Sequence, residues 1–151
     1  MTPDVNVLVA ASRADHPHYP VARAWLVQTV AGCATGSVLT LMPMVVARFL
    51  RLVTSPRIFS QPTPVTEAVA FVDALLHVPG VALANLGPEW PVLRQLCLDK
   101  HLAGNDVPDA WLAAATTHRS EHLVTFDRDF KALLGRSQWT LLVPVTPPRS
   151  A

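Results

Sequence analysis

The chain of 151 residues is long enough to bury a sizeable hydrophobic core and fits one domain spanning residues 1–151. Half of its residues are apolar and 15% are charged, a composition that excludes an intrinsically disordered protein. The formal net charge of +1 provides no general attraction for nucleic acid, so binding of that kind would require a local arrangement of residues.

The N-terminal segment and the cysteines favour a cytoplasmic protein that does not contact a membrane. No basic segment precedes the first apolar run, which argues against a signal peptide. The longest apolar run, around residues 38–47, contains Thr40 and Pro43 and is shorter than the roughly 18 residues that a membrane span needs. Cys33 and Cys97 do not have the number or spacing of a disulfide framework, so we expect reduced thiols.

The first half of the chain begins with a predicted central strand. Val5–Val9 is a short β-branched run of the kind that is buried on both faces in parallel sheets, so we place it at the sheet centre. Apolar residues at helical spacing predict a helix over 18–30, and Gly32 marks its end. A short strand over 37–40 and a helix over 43–53 follow.

The second half continues to alternate helices with strands. Thr63 as an N-cap, with Pro64 at the first helical position, predicts a helix to about His77. The remaining predicted elements are a strand over 81–84, a helix over 88–102, a helix led by Pro108 and strands over 122–125 and 139–143. This alternation predicts an α/β fold with a mainly parallel sheet and helices on both faces. We expect the tail after about residue 144 to be loosely ordered.

Acidic residues lie beside several of these predicted strands and at one helix start: Asp4, Asp106, Asp109, Asp127 and Asp129. In an open α/β sheet, side chains just beyond the carboxyl ends of strands gather in one crevice. Asp127 and Asp129 follow a strand directly, and Asp106 and Asp109 share one face of a helix start. Asp4 precedes its predicted strand, so this rule applies to it less directly.

Such an acidic cluster indicates a metal site. Carboxylates that share a site repel one another unless they are protonated or bridged by a cation, and Mg²⁺ or Mn²⁺ prefers oxygen ligands. A site of this kind suits hydrolysis of a phosphodiester. Structural roles are the alternative: Asp109 could be a favourable first-turn charge, Asp127 could cap a short helix near Arg128, and Asp129 could be surface charge.

Two other groups of side chains are candidates for a functional role. Arg48, Arg51 and Arg57 could bind an RNA backbone, because guanidinium groups make bidentate contacts with phosphate, or they could be solvated surface arginines. The six histidines form no HxxxH or HExxH arrangement, so the sequence predicts no zinc site, and we interpret them as surface residues.

Four segments carry a resemblance to a known family: DVNVL at 4–8, FLRLVTSPR at 49–57, DAWLAA at 109–114 and TFDRDF at 125–130. In their order and spacing they resemble the PIN-domain ribonucleases, specifically the VapC-type toxins of bacterial type II toxin–antitoxin systems. The resemblance implies a three-layer α/β/α sandwich with a mainly parallel central sheet. It also implies an endoribonuclease that cuts tRNA or rRNA and a VapB-like antitoxin as partner. Apolar surface on the predicted helices between residues 43 and 77 could form a homodimer or receive the antitoxin.

The resemblance also assigns roles to the acidic residues. Asp4, Asp109 and Asp127 match the family's acidic core, which binds Mg²⁺ or Mn²⁺. Asn6 and Thr125 match positions that orient this core by hydrogen bonds.

The chain departs from the family pattern at one position. The family often has a Glu five residues before the Arg that is Arg51 here, and this chain has Val46 at that position. Asp106 is an additional acid that could replace the missing ligand, and Asp129 would be a peripheral member of the site.

Two alternative functions use the same residues. A PIN protein that is catalytically weakened by the missing Glu would act by binding RNA or an antitoxin. A metal-dependent DNA nuclease or phosphatase would use the same acids on another phosphate ester.

Overall fold

The computed structural model describes residues 1–144. Within them lie five short strands: β1 (Thr2–Pro3), β2 (Leu39–Leu41), β3 (Val81–Leu83), β4 (Leu123–Thr125) and β5 (Trp139–Leu141). β4 pairs with β1 and β5, and β2 pairs with β3, always in parallel. The Thr40 N–H joins the two groups by donating to the Met1 carbonyl at 2.8 Å, so the strand order is 3-2-1-4-5.

The α-helices of this part of the chain are α1 (Val5–Ser12), α2 (Tyr19–Cys33), α3 (Pro43–Val53), α4 (Val65–Leu76), α5 (Trp90–Asp99) and α6 (Asp106–His118). α1 packs against α2 and α3, α3 against α4, and α5 against α6. Single-turn 3₁₀ helices span Arg128–Ala132 and Arg136–Gln138. The α/β fold with a parallel sheet, predicted from the alternation of elements, is confirmed. The predicted loose tail after about residue 144 lies outside the described residues.

The prediction of a central strand over residues 5–9 is wrong, because these residues open helix α1. The central strand is β1, which ends one residue before Asp4. Val7, Leu8 and Ala10 are all fully buried. α1 therefore has apolar residues around most of its circumference and lacks the polar stripe that distinguishes a helix from a buried strand in a sequence.

The other elements have the predicted type; α3 has the predicted bounds, and the remaining boundaries are shifted. α4 begins at Val65, with Pro64 at its N-cap position and no capping side chain. The prediction that Thr63 caps this helix is therefore wrong, and the Thr63 hydroxyl instead accepts from Arg13 Nη1 at 2.9 Å. β3 lies at the edge of the sheet, where Leu83 is exposed, so it is not the core strand that its apolar sequence indicates.

Two smaller sequence expectations concern thiols and the membrane. Cys33 and Cys97 are free thiols, as predicted. Within residues 1–144, no helix combines the length and the apolar character needed to cross a membrane.

Truncation of Leu8 tests the burial of α1. Leu8→Ala should lower the free energy of unfolding by about 2–5 kcal/mol, because it removes fully buried methyl groups and leaves a cavity. Val27 on α2 is 53% exposed, so Val27→Ala should change the free energy of unfolding by less than about 0.5 kcal/mol. Urea denaturation followed by circular dichroism measures both, and equal losses would contradict the burial of α1.

Candidate active site

The candidate site lies where the strand order reverses, between β1 and β4. Asp4 follows β1, and its N–H donates to the Val124 carbonyl at 2.9 Å. Thr125 is the last residue of β4. Ligand crevices of open α/β sheets form at such a switch point, beyond the carboxyl ends of the strands. Because β1 precedes Asp4, the rule that applied less directly in the sequence holds for this residue in the structure.

The Asp4 carboxylate is held by three donors. Its Oδ1 accepts from the Val5 N–H at 2.6 Å, which caps helix α1. Its Oδ2 accepts from Thr125 Oγ1 at 2.8 Å and from Asn6 Nδ2 at 3.0 Å. The Asn6 Oδ1 in turn accepts from the Phe126 N–H at 3.2 Å. The structure thus brings Asn6 and Thr125 to the carboxylate that the sequence expects them to orient.

Burial makes the charged form of Asp4 costly. The side chain is 4% exposed, and this desolvation raises its pKa from 3.8 to about 6, against the hydrogen bonds from Thr125 and Val5. The negative charge of Asp109 raises it further. Partial burial also raises the pKa of Asp109, to which Asp127 and Asp106 add repulsion while Arg48 opposes the shift.

Three of the predicted acids meet in one cavity of about 320 Å³, which is lined by Asp4, Asp109 and Asp127 together with Asn6, Arg48 and His16. A second cavity of about 310 Å³ also adjoins Asp4 and Asp109, and its walls are mainly apolar side chains of α3, α5 and α6. Asp4 and Asp109 thus lie at the boundary shared by the two cavities.

The Asp127 side chain has two roles in the structure. The backbone N–H of Asp127 donates to Thr125 Oγ1 at 2.9 Å, and the side-chain Oδ1 of Asp127 accepts from the Asp129 N–H at 2.8 Å. The second bond caps the 3₁₀ helix Arg128–Ala132, which is the structural role that the sequence left open. The same carboxylate lines the cavity with Asp4, so capping holds it in position beside the other acids.

Asp106 and Asp129 are exposed and do not line either cavity that contains Asp4. They border a separate cavity of about 250 Å³, on which Asp109 and Asp127 also lie. The structure therefore places Asp106 beside Asp109 but not beside Asp4.

Arg48 is the residue of α3 that faces the acids. Its Nη1 lies 3.4 Å from Asp109 Oδ1, and it lines both cavities that contain Asp4. Val46, where the family pattern places a Glu, lines neither cavity and packs against the hydrophobic core. Arg51 and Arg57 are exposed and also lie outside these two cavities. The residue that α3 contributes to the site is therefore the positively charged Arg48, whereas the family pattern has an acid on this helix.

The oxygen atoms of this site suit a hard divalent cation in their chemistry. Asp4, Asp109 and Asp127 offer carboxylate oxygens, the ligands that Mg²⁺ and Mn²⁺ prefer. Within residues 1–144, no three His, Cys, Asp or Glu side chains lie close enough to one another to hold a metal ion jointly. A cation between the acids would relieve the repulsion and burial that raise the pKa values of Asp4 and Asp109.

Sequence reasoning missed His16, which lies in the same cavity as the acids. No spacing motif indicated it, because His16 reaches the cavity from a loop that contributes no carboxylate there. The only sequence signal was its place between the first two predicted elements, which does not determine the direction of a side chain.

Comparisons with known proteins show the family to which the chain belongs. A profile of the PIN domain matches residues 1–134. Ribonuclease VapC31 of Mycobacterium tuberculosis (strain CDC 1551 / Oshkosh) is 41% identical over 128 residues, which are 84% of this chain and 88% of that protein. Ribonuclease VapC25 of M. tuberculosis (strain ATCC 25618 / H37Rv) is 40% identical over the same shares of the two chains.

Solved structures show the same fold. The chain aligns with a crystal structure of VapBC2 from Rickettsia felis bound to a promoter DNA fragment, with a TM-score of 0.65, 16% identity and coverage of 94% of this chain and 98% of that chain. It aligns with M. tuberculosis VapC20, described as a Sarcin-Ricin loop cleaving toxin, with a TM-score of 0.62, 18% identity and coverage of 97% and 98%. The chain belongs to the PIN-domain family, among its VapC-type members, as its four sequence motifs predict.

Proposed function

We propose that this protein is a metal-dependent endoribonuclease and the toxin of a VapBC-type toxin–antitoxin pair. The observation that carries the proposal is the buried Asp4 carboxylate, which is fixed by Thr125 and Asn6 and shares a cavity with Asp109 and Asp127. Relatives that are 40–41% identical are named ribonucleases, which supports RNA as the substrate.

Asp4, Asp109 and Asp127 would bind Mg²⁺ or Mn²⁺ partly through waters that the ion retains, because the three side chains do not lie close enough to coordinate it jointly. When bound, such a cation would supply an activated water and neutralise charge on the scissile phosphate. The hydrogen bonds of Asn6 and Thr125 keep the Asp4 carboxylate in one orientation before any ligand arrives, which lowers the cost of organising the site.

Other groups of this chain complete the proposed machinery. The guanidinium of Arg48, beside Asp109, can bind a phosphate of the RNA, and the exposed Arg51 and Arg57 would contact the strand farther from the cavity. Asp106 and Asp129 would be peripheral acids, bordering the neighbouring cavity.

The proposal extends to partners and location. We propose tRNA or rRNA as the substrate and a VapB-like antitoxin as the inhibitor, the latter supported by the VapBC2 complex that shares this fold. A homodimer, a single PIN domain over residues 1–151 and a cytoplasmic location remain predictions from the sequence.

A second candidate function is a catalytically weakened PIN protein that acts by binding RNA or an antitoxin. The Arg48–Asp109 ion pair favours it, because this cation already neutralises one of the acids that would hold a metal. In this candidate the protein would bind RNA without cutting it.

Neutralising Asp109 tests the proposed ribonuclease. Asp109→Asn should reduce cleavage of tRNA or rRNA in Mg²⁺ or Mn²⁺ by at least about 100-fold, since it removes a ligand charge at nearly constant volume. The measurement is a gel assay with purified, antitoxin-free protein, and EDTA should abolish cleavage by the wild type.

Asp73→Asn is the matched control, because Asp73 is an exposed acid on α4 that lines none of the cavities described above. It should cut RNA at the wild-type rate. Cleavage that survives in Asp109→Asn would sink the proposed site, and intact RNA with folded, metal-loaded wild type would favour the weakened protein.

The buried Asp4 should make the stability of the metal-free protein depend on pH. Because its pKa is about 6 in the folded state and 3.8 unfolded, the folded state binds more protons between these values. The free energy of unfolding should therefore fall by about 2 kcal/mol from this group as pH rises from 4 to 7. Urea denaturation in EDTA measures this, and Asp4→Asn should lack that component. The same pH dependence in both proteins would contradict the assignment.

Two substitutions on α3 test which position faces the metal. Arg48→Glu should tighten binding of Mn²⁺ at least about fivefold, because it replaces a cation beside Asp109 with a carboxylate. Val46→Glu should not, because Val46 lies outside the cavities that contain Asp4. Isothermal titration calorimetry of metal-free proteins, after their folding is checked, makes the comparison. A gain for Val46→Glu alone would place the missing family ligand at that position.

A further inference from the structure

His16 lines the cavity that contains the three acids, although no role for it has been assigned so far. The residue lies in the turn between α1 and α2 and lines the cavity together with Asp109 and Asp127. It is half-buried, so its ring is held by the protein while part of it faces the cavity.

The hydrogen bonding of His16 determines which ring nitrogen carries the proton. The backbone N–H of His18 donates to His16 Nδ1 at 3.1 Å, so Nδ1 accepts with its lone pair and carries no proton. In a neutral imidazole the proton must then be on Nε2, which becomes a donor. Burial is the main cause that lowers the pKa of His16, which favours this neutral form at pH 7.

The ring of His16 is kept in place by an aromatic series. Its centroid is 5.4 Å from that of His18 in an edge contact, and His18 stacks on Phe126 at 4.8 Å. Phe126 follows β4 and donates its N–H to Asn6, which binds Asp4. The imidazole is thus connected through packing to the same strand end that positions the acids.

The turn that carries His16 is anchored by Arg13. This buried guanidinium donates to the Gln61 carbonyl and to Thr63 Oγ1, each at 2.9 Å, and lies 3.8 Å from the centre of the Phe59 ring. Phe59 lines the same cavity as His16. Arg13 therefore ties the turn to the loop after α3 and makes a fixed wall of the cavity.

Within residues 1–144, Nε2 of His16 makes no hydrogen bond, and it is not among the polar atoms that are buried without a partner. It is an accessible donor on a residue that lines the cavity assigned above to RNA. The acids there can accept or bind metal, but they cannot donate to the oxygens of an RNA backbone when ionised.

We propose that His16 contacts the substrate, its Nε2–H donating a hydrogen bond to a phosphate or ribose oxygen of the RNA strand in the cavity. The assignment rests on the proposed function, because it takes RNA as the ligand. It adds to the acids a neutral donor, which holds the strand without competing with a divalent cation for the carboxylates.

Two substitutions of His16 separate its two nitrogens. Asparagine reaches about as far as Nδ1 and keeps an acceptor for the His18 N–H, whereas glutamine reaches about as far as Nε2 and restores a donor there. In an Asp109→Asn background, which prevents cleavage, we expect His16→Asn to weaken binding of a fluorescent single-stranded RNA in Mg²⁺ by about 10-fold. His16→Gln should recover most of this loss in fluorescence anisotropy.

His77→Asn is the matched control, because His77 is exposed at the end of α4 and lines none of the described cavities. It should bind as tightly as the background protein, and all variants should keep the same thermal midpoint. Equal weakening by His16→Asn and His16→Gln would show a structural role and overturn the proposal, as would no weakening by His16→Asn.

A 2′-deoxy oligonucleotide of the same sequence identifies the oxygen. If the loss in His16→Asn persists with DNA, the acceptor is a phosphate oxygen; if it disappears, the acceptor is a ribose hydroxyl, and both results support the contact. Failure of the proposed function is read separately, from the cleavage assay on the wild type. Intact RNA there, with the binding pattern above, would refute the nuclease and leave the His16 contact standing. No RNA binding by any of these proteins would overturn both.

Discussion

The junction between β1 and β4 depends on one buried carboxylate. Asp4 caps helix α1 with one oxygen and accepts from Thr125, at the end of β4, with the other. It therefore joins the central strand, the first helix and a neighbouring strand by side-chain hydrogen bonds. The cost is a desolvated charge, visible in a pKa raised to about 6 by burial. Structural and functional demands meet here, because the group that organises the strand ends is also the most buried acid of the site.

Around this carboxylate the structure balances charge with few side chains. Asp109 repels Asp4 and is paired with Arg48, while Asp127 is fixed by the backbone of its own 3₁₀ helix. The Arg48–Asp109 ion pair is partly exposed, so it contributes little to stability. Asp109 could therefore leave Arg48 and bind another cation at a small cost in free energy. This arrangement explains how carboxylates can share one cavity without a metal, and why a divalent cation would compete with Arg48 for Asp109.

The wall formed by the turn before α2 gives the cavity an uncharged side. Arg13 holds this wall through its bonds to the loop after α3, and the aromatic contact of His18 with Phe126 connects it to the end of β4. In the proposed function, the imidazole of His16 would add a hydrogen-bond donor for RNA to the carboxylates that line the same cavity.

By itself, the sequence determined the family, the α/β class and most of the helices, because motif order and helical periodicity are local properties of the chain. It also indicated Asp4, Asp109 and Asp127 as candidate acids of the site. Only the tertiary structure decided that residues 5–9 are a buried helix, since its apolar run has no polar face to show the helical period. The hydrogen bond between Asp4 and Thr125 joins residues that are 121 positions apart, so it depends on how distant segments pack. The same holds for Arg48 and His16, which line one cavity although they lie on different elements. No local pattern encodes that packing.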